Sequence, residues 1–220
     1  MKLTIKLVST DIEYNVFFKE PLFNYIENDW NLHVLRNLIK IYDLKLNEIK
    51  INQLSPSDNL YHFMKFYGQS SFDVSLGLEQ ITSMIRFALN EEQIFDLNLR
   101  LAGIYLNSTI DRQRFTFYQH AEVEGDVNAF IANLNPWVPS DFKGVLVGKG
   151  VTYNFVIPDD NAIINWTFAN SVPIEGGIFI SLQLTFEPNN YDFKKSFELA
   201  RSYYDSFLDS LGIAVQMEQK

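Results

Sequence analysis

Phe87-x-x-Asn90 closes one alternating apolar stretch and opens an amphipathic one. Phe186-x-x-Asn189 does the same roughly one hundred residues later, an offset long enough for each copy to be half a domain. Tyr105 and Tyr204 keep the same register behind the two motifs. The copies share layout more than sequence, and a shared layout constrains a fold far more than it constrains chemistry.

Period-two and period-3.6 patterns supply that layout. Residues 2–9 and 12–18 alternate as strands, with Asp11 near a turn between them. Residues 29–41 carry Trp30, Val34, Leu38 and Ile41 on one helical stripe, with Leu35 beside it. Leu44 to Ile51 alternates imperfectly around Asn47-Glu48, the pattern of a strand with a bulge. After the Ser55–Asn59 turn cluster, Leu60 to Tyr67 reads as a strand, and Phe72 to Phe87 as one long strand or two in series. Asn90-Glu91-Glu92-Gln93 has the form of a capping box, starting a helix to about Leu106.

The order then repeats. Arg112 to Val123 is a strand, and Asp126 caps a short helix to about Leu134. Gly144 to Ile157 is a strand, and Pro158-Asp159-Asp160-Asn161 turns it. Ala162 to Ser171 and Ile178 to Glu187 are strands around the Glu175-Gly176-Gly177 turn. Asp192 to Leu211 is the clearest helix. Its stripe is Phe193, Phe197, Ala200, Tyr204, Phe207 and Leu211, with Gly212 where a helix-ending glycine belongs. No linker composition separates the halves. The expectation is an α+β fold in one domain, residues 1–220: a twisted antiparallel sheet with helices on one face. It is built from two similar strand–helix–strands–helix halves, about 1–108 and 109–220.

This element order resembles the TATA-binding-protein-like fold, whose members pair two such halves into a curved sheet. DNA-binding members of that fold read the minor groove with aromatic wedges and basic residues. The acidic balance of this chain departs from that pattern. A second resemblance is local. The Asp111-Arg112-Gln113-Arg114-Phe115-Thr116-Phe117 stretch, and Leu182-x-Leu184-x-Phe186-x-x-Asn189 before a long amphipathic helix, are similar to a sporadically distributed bacterial family of unknown function. It implies no activity.

Charge and composition narrow the function classes. The 220 residues carry a formal net charge of -9. A phosphate-gripping nucleic-acid binder needs the opposite balance or a dense basic patch. The balance suits a basic protein partner or an uncharged one, and it leaves oligomeric state open, a homodimer included. The chain has no cysteine, so thiolate metal sites, disulfides and thiol nucleophiles are excluded. Met1 to Ser9 alternates as a strand and not as a signal segment, and no apolar run reaches membrane-spanning length. The expected location is cytoplasmic.

Candidate functional residues are few. On the 112–124 strand, Arg112, Arg114, Thr116, Tyr118, His120, Glu122 and Glu124 share one side. Gln113, Phe115, Phe117, Gln119, Ala121 and Val123 share the other, toward the core. Arg112, Arg114, Tyr118 and His120 therefore form a binding face for a carboxylate, a phosphate or a stacked base. The competing reading is a solvated strand face paired with nearby acids. His120 and Glu122 supply two metal-ligand types, short of a site. His33 and His62 read as structural. Gly148-Lys149-Gly150 sits mid-strand and lacks the rest of a phosphate loop. Trp137, between two prolines, is either a plug over the short helix or an exposed anchor for a partner. No catalytic constellation, metal site or cofactor fingerprint appears. The expected function is non-catalytic binding, as of a basic protein to be neutralised. The alternatives are a small-molecule or nucleotide sensor built on the arginine face, and an enzyme with a site assembled from scattered residues.

Overall fold

A computed structural model describes residues 3–22, 35–40, 43–53, 59–63, 71–87, 97–98, 101, 108–134, 149–187 and 193–216. The protein is a sheet-rich α+β structure with a large, mainly antiparallel sheet. Its strands are β1 Leu3–Phe18, β2 Ile49–Gln53, β3 Asn59–Phe63, β4 Ser71–Leu76, β5 Gln80–Arg86, β6 Ile110–Glu124, β7 Gly150–Ile157, β8 Ala162–Asn170, β9 Ile178–Phe186 and β10 Ile213–Gln216. They hydrogen-bond in the order β2-β3-β4-β5-β1-β6-β9-β8-β7, with β10 parallel to the start of β1. Two helices have both ends among the described residues, α1 Val127–Leu134 and α2 Phe193–Ser210. The chain divides into two compact units. The first comprises Met1–Thr10, Thr116–Leu184 and Ser196–Lys220, and the second Asp11–Phe115 and Thr185–Lys195.

In the second unit, β2 to β5 form a meander that continues onto β1. One face is apolar. Tyr61, Phe63, Phe72, Val74, Ile81, Ile85, Tyr14 and Val16 are all buried there. The rings of Phe63 and Phe72 stack at 4.2 Å, and Tyr14 meets Phe115 at 4.5 Å and the edge of Phe193 at 4.9 Å. Such offset and edge contacts add to area burial. Leu97 and Leu101 are helical and buried, as are Leu35 and Leu38 within the helical residues 35–40.

In the first unit, α2 lies against sheet residues through Phe197 and Tyr204, 5.8 and 6.0 Å from Phe117. Its buried stripe is Phe197, Ala200, Tyr204 and Leu208. Phe207 and Leu211 are half-buried. The stripe thus drifts one residue from the expected line over the last turn. Trp166 is fully buried between Phe207 and Phe168, at 4.5 and 5.8 Å. Asp126 caps α1, its carboxylate accepting the Ala129 N–H at 3.0 Å. Gly212 ends α2 at φ 71, where a Cβ would be strained.

Two local expectations change, and one open reading is decided. β1 is one strand, because Asp11 makes no turn; its carboxylate accepts the Phe87 N–H at 2.8 Å beyond the end of β5. Of the two expectations for residues 72–87, two strands in series is what forms: Gly77 N–H donates to Gln80 O at 3.0 Å and closes a hairpin. The irregularity near Asn47 is a 3-10 turn, Leu46–Glu48, closed by Glu48 accepting the Lys45 N–H at 2.9 Å. The second stretches of the motifs, Asn90 and Asn189, lie outside the described residues, as do Trp30, Tyr105 and Trp137.

Candidate functional site

β6 alternates as its sequence requires. Gln113, Phe115, Phe117, Gln119 and Ala121 are buried, while Arg112, Glu122 and Glu124 are exposed and Arg114, Tyr118 and His120 half-buried. Thr116 departs from the pattern, being buried on the outer side. Arg112 and Arg114 belong to the second unit, Tyr118 and His120 to the first.

Arg112 and Arg114 converge on one ring. Their guanidinium carbons lie 4.7 and 5.2 Å from the centroid of Phe17, the geometry of a cation–π contact. Their ionic partners are distant. Arg112 is 3.9 Å from Asp111, and Arg114 is 3.6 Å from Glu13. Glu13 also accepts the Asn15 amide at 2.6 Å. Asn15 is itself buried on this polar side, where its Oδ1 accepts the Thr82 hydroxyl at 2.5 Å. The Nε of Arg114 is buried and finds no acceptor among the described residues. An unmet charged donor costs more than an exposed one.

The pairing register extends this polar side across the second unit. Lys50 stands opposite His62, His62 opposite Asp73, Asp73 opposite Met84, and Met84 opposite Glu13. Asp73 is the hub of a triad. Arg86 donates to its Oδ2 from Nη2 at 2.8 Å and Nε at 3.1 Å, and His62 Nδ1 bonds Oδ1. Two donations from Arg86 to one oxygen, with His62 on the other, fix the carboxylate. His62 is thereby held by Asp73 from the neighbouring strand β4.

His120 is committed locally. Its Nδ1 lies 2.9 Å from Ser171 Oγ, which accepts the Ile174 N–H at 3.2 Å, and its ring packs 5.0 Å from Phe179. The two buried glutamines of β6 each accept a tyrosine hydroxyl: Gln113 from Tyr14 at 2.5 Å, and Gln119 from Tyr204. Burial drives the Tyr204 phenol well above the ordinary tyrosine range.

Glu13, Asn15, Phe17 and Thr82 escaped the sequence reading. The signal was present, since Glu13, Asn15 and Phe17 alternate on the 12–18 strand. What was missing was the knowledge that β1 lies beside β6. Among the described residues no group of three or more His, Asp or Glu side chains could hold a metal ion. Among them, too, no helix is long and apolar enough to cross a membrane.

No family model matches the chain, and no curated protein matches it. Among solved structures it is similar to the PH1819 protein from Pyrococcus horikoshii OT3, at 10% identity and a TM-score of 0.17. That match covers 94% of this chain and 79% of the other.

Proposed function

We propose that this chain is a non-catalytic binding protein. The polar sheet face of its second unit takes an oxyanion, a carboxylate or a phosphate, between Arg112 and Arg114. The carrying observation is the buried Arg114 Nε, which points at no acceptor among the described residues. Support comes from Phe17, which holds both guanidiniums in one place. The long 3.6 Å approach of Glu13 leaves donor capacity on Arg114. An oxyanion seated there gains charge-assisted bonds. The test is calorimetry with inorganic phosphate and with citrate on the wild type and on Arg112→Ala/Arg114→Ala. The double variant should lose at least about tenfold in affinity, roughly one charge-assisted bond or more. Equal binding by both proteins, or none by the wild type, rejects the reading.

The net charge of -9, with Glu122 and Glu124 exposed, favours a second reading, the capture of a basic protein by charge complementarity. The same double variant separates the two, because removing two cations leaves a basic partner's affinity unchanged or raises it.

We also read the chain as two similar strand–helix–strands–helix halves with helices on one sheet face, laid out like the TATA-binding-protein-like fold. Support for this is that each proposed half, about 1–108 and 109–220, holds one long strand, β1 of 16 and β6 of 15 residues. Phe87 directly follows β5, and Phe186 ends β9. A sharp thermal transition of residues 1–108 expressed alone would remove the single-domain part of this reading.

A further inference from the structure

We infer that β7 is a self-association edge, and that it pairs antiparallel with β7 of a second copy of this chain about a two-fold axis at Asn154. β7 ends the strand order, and among the described residues no strand pairs with its outer edge. Its sequence, Gly150-Val-Thr-Tyr-Asn-Phe-Val-Ile157, holds no charge and no proline. Those are the devices by which proteins block unwanted edge pairing. β2, at the other end of the order, does carry one, Lys50. β7 also shows apolar groups on both sides. Val156 is 72% exposed and its cross-strand neighbour Ile163 50%, while Phe155 is 38% exposed on the opposite side. Phe155 there walls a cleft of about 180 Å³ with Ile164, Trp166, Tyr203 and Phe207.

Charge selects the occupant. Lys149 immediately precedes β7, and Asp159 and Asp160 follow it in the Pro158–Asp160 turn. The Tyr203 hydroxyl donates to Asp160, which leaves Asp159 as the carboxylate for a partner. An antiparallel copy brings the start of one β7 to the end of the other. With Asn154 opposite its symmetry mate, the ladder runs from Val151 to Ile157, and Lys149 before it comes beside the second copy's Pro158–Asp160 turn, which carries Asp159, twice by symmetry. In that register Tyr153 faces Phe155, Thr152 faces Val156, and Val151 faces Ile157. Opposite charges and aromatic pairs set directly across from each other stabilise an antiparallel ladder. The contact is isologous and closes at two copies. It lies wholly in the first unit and uses no residue of the arginine face.

The test is sedimentation velocity of the full chain over a range of concentrations. The wild type should dimerise. Asn154→Lys, which sets two lysines across the axis on an exposed position, should weaken the dimer at least about tenfold with an unchanged melting temperature. Lys149→Glu and Asp159→Lys should each weaken it by about tenfold, and the double exchange should restore it. A wild type that stays monomeric throughout overturns the inference. So does a dimer indifferent to Asn154→Lys, or single charge changes that the double exchange fails to repair. Restoration by the exchange also guards against a folding defect, since a misfolded single variant would not be rescued by a second surface charge.

Discussion

Phe197→Ala tests whether α2 is part of the core or a cover on it. Phe197 is 1% exposed and its ring lies 5.8 Å from Phe117 on β6. Removing a buried phenyl forfeits about 2–3 kcal/mol of transfer energy. The hole it leaves adds a cavity term, because a side chain enclosed by helix and sheet cannot be replaced by water, and the total reaches about 3–5 kcal/mol. A domain of this size holds about 5–15 kcal/mol, so the variant should lose a large fraction of its stability. Phe207→Ala is the internal comparison. Phe207 is half-buried and borders an open cleft, so solvent can enter the space it vacates, and its cost should be about half that of Phe197 or less. Urea unfolding followed by circular dichroism gives both values. A loss below about 1 kcal/mol for Phe197→Ala, or equal losses for the two, would refute the assignment of the buried stripe.

Other changes have defined outcomes. Gly177→Ala would place a Cβ 2.6 Å from Ile174 Cγ2 and 2.8 Å from the Ala121 carbonyl oxygen. It should cost about 1–3 kcal/mol, read as a lowered melting temperature; no change would mean the 171–177 loop is free to move. Asp73→Ala removes the acceptor of Arg86 and His62, but Arg86 is 41% exposed and can return to water. The expected cost is therefore about 1–2 kcal/mol and not that of a buried pair, measured by urea unfolding. The Tyr203 phenol is pushed up to about 12 from 10.0, by burial first, then by its bond to Asp160 and the charges of Asp160 and Asp159. Its folded form holds the proton more tightly. Its contribution is complete below about pH 10 and is lost as pH rises toward about 12. Tyrosinate absorbance should show Tyr203 titrating late, and Asp160→Asn should bring it earlier.

Elements whose signal is local were legible in the sequence. α2 announces itself by an apolar or aromatic residue every third or fourth position, Phe193, Phe197, Ala200, Tyr204 and Phe207, and by Gly212. The Asp126 cap and the Pro158–Asp160 turn follow from side chains that bond their own neighbourhood. β6 was legible in both directions, since strict alternation leaves one solution for each side chain. Failures came where a distant partner decides. Asp11 reads as a turn residue until Phe87 is known to lie beside it. Residues 72–87 read as one strand or two in series because Leu78 and Glu79 break no apolar pattern, and the break is set by a backbone bond at Gly77.

The candidate site divides along the same line. Placing Arg112 and Arg114 on one side of β6 needs only a period of two. Knowing that they meet over Phe17 needs the β1–β6 neighbourhood, which joins residues about a hundred positions apart. Tyr118 and His120 continue the same side of the same strand, and there His120 is bonded to Ser171 and packed on Phe179. Alternation assigns a side chain to a side and says nothing of who waits there. The buried glutamines make the same point from the core. Gln113 and Gln119 look like errors in an apolar row until Tyr14 and Tyr204 arrive to donate to them. A polar group in a core is explained only by its partner. On this chain the partners come from strands and helices far away in sequence, which is why chemistry was harder to read from it than shape.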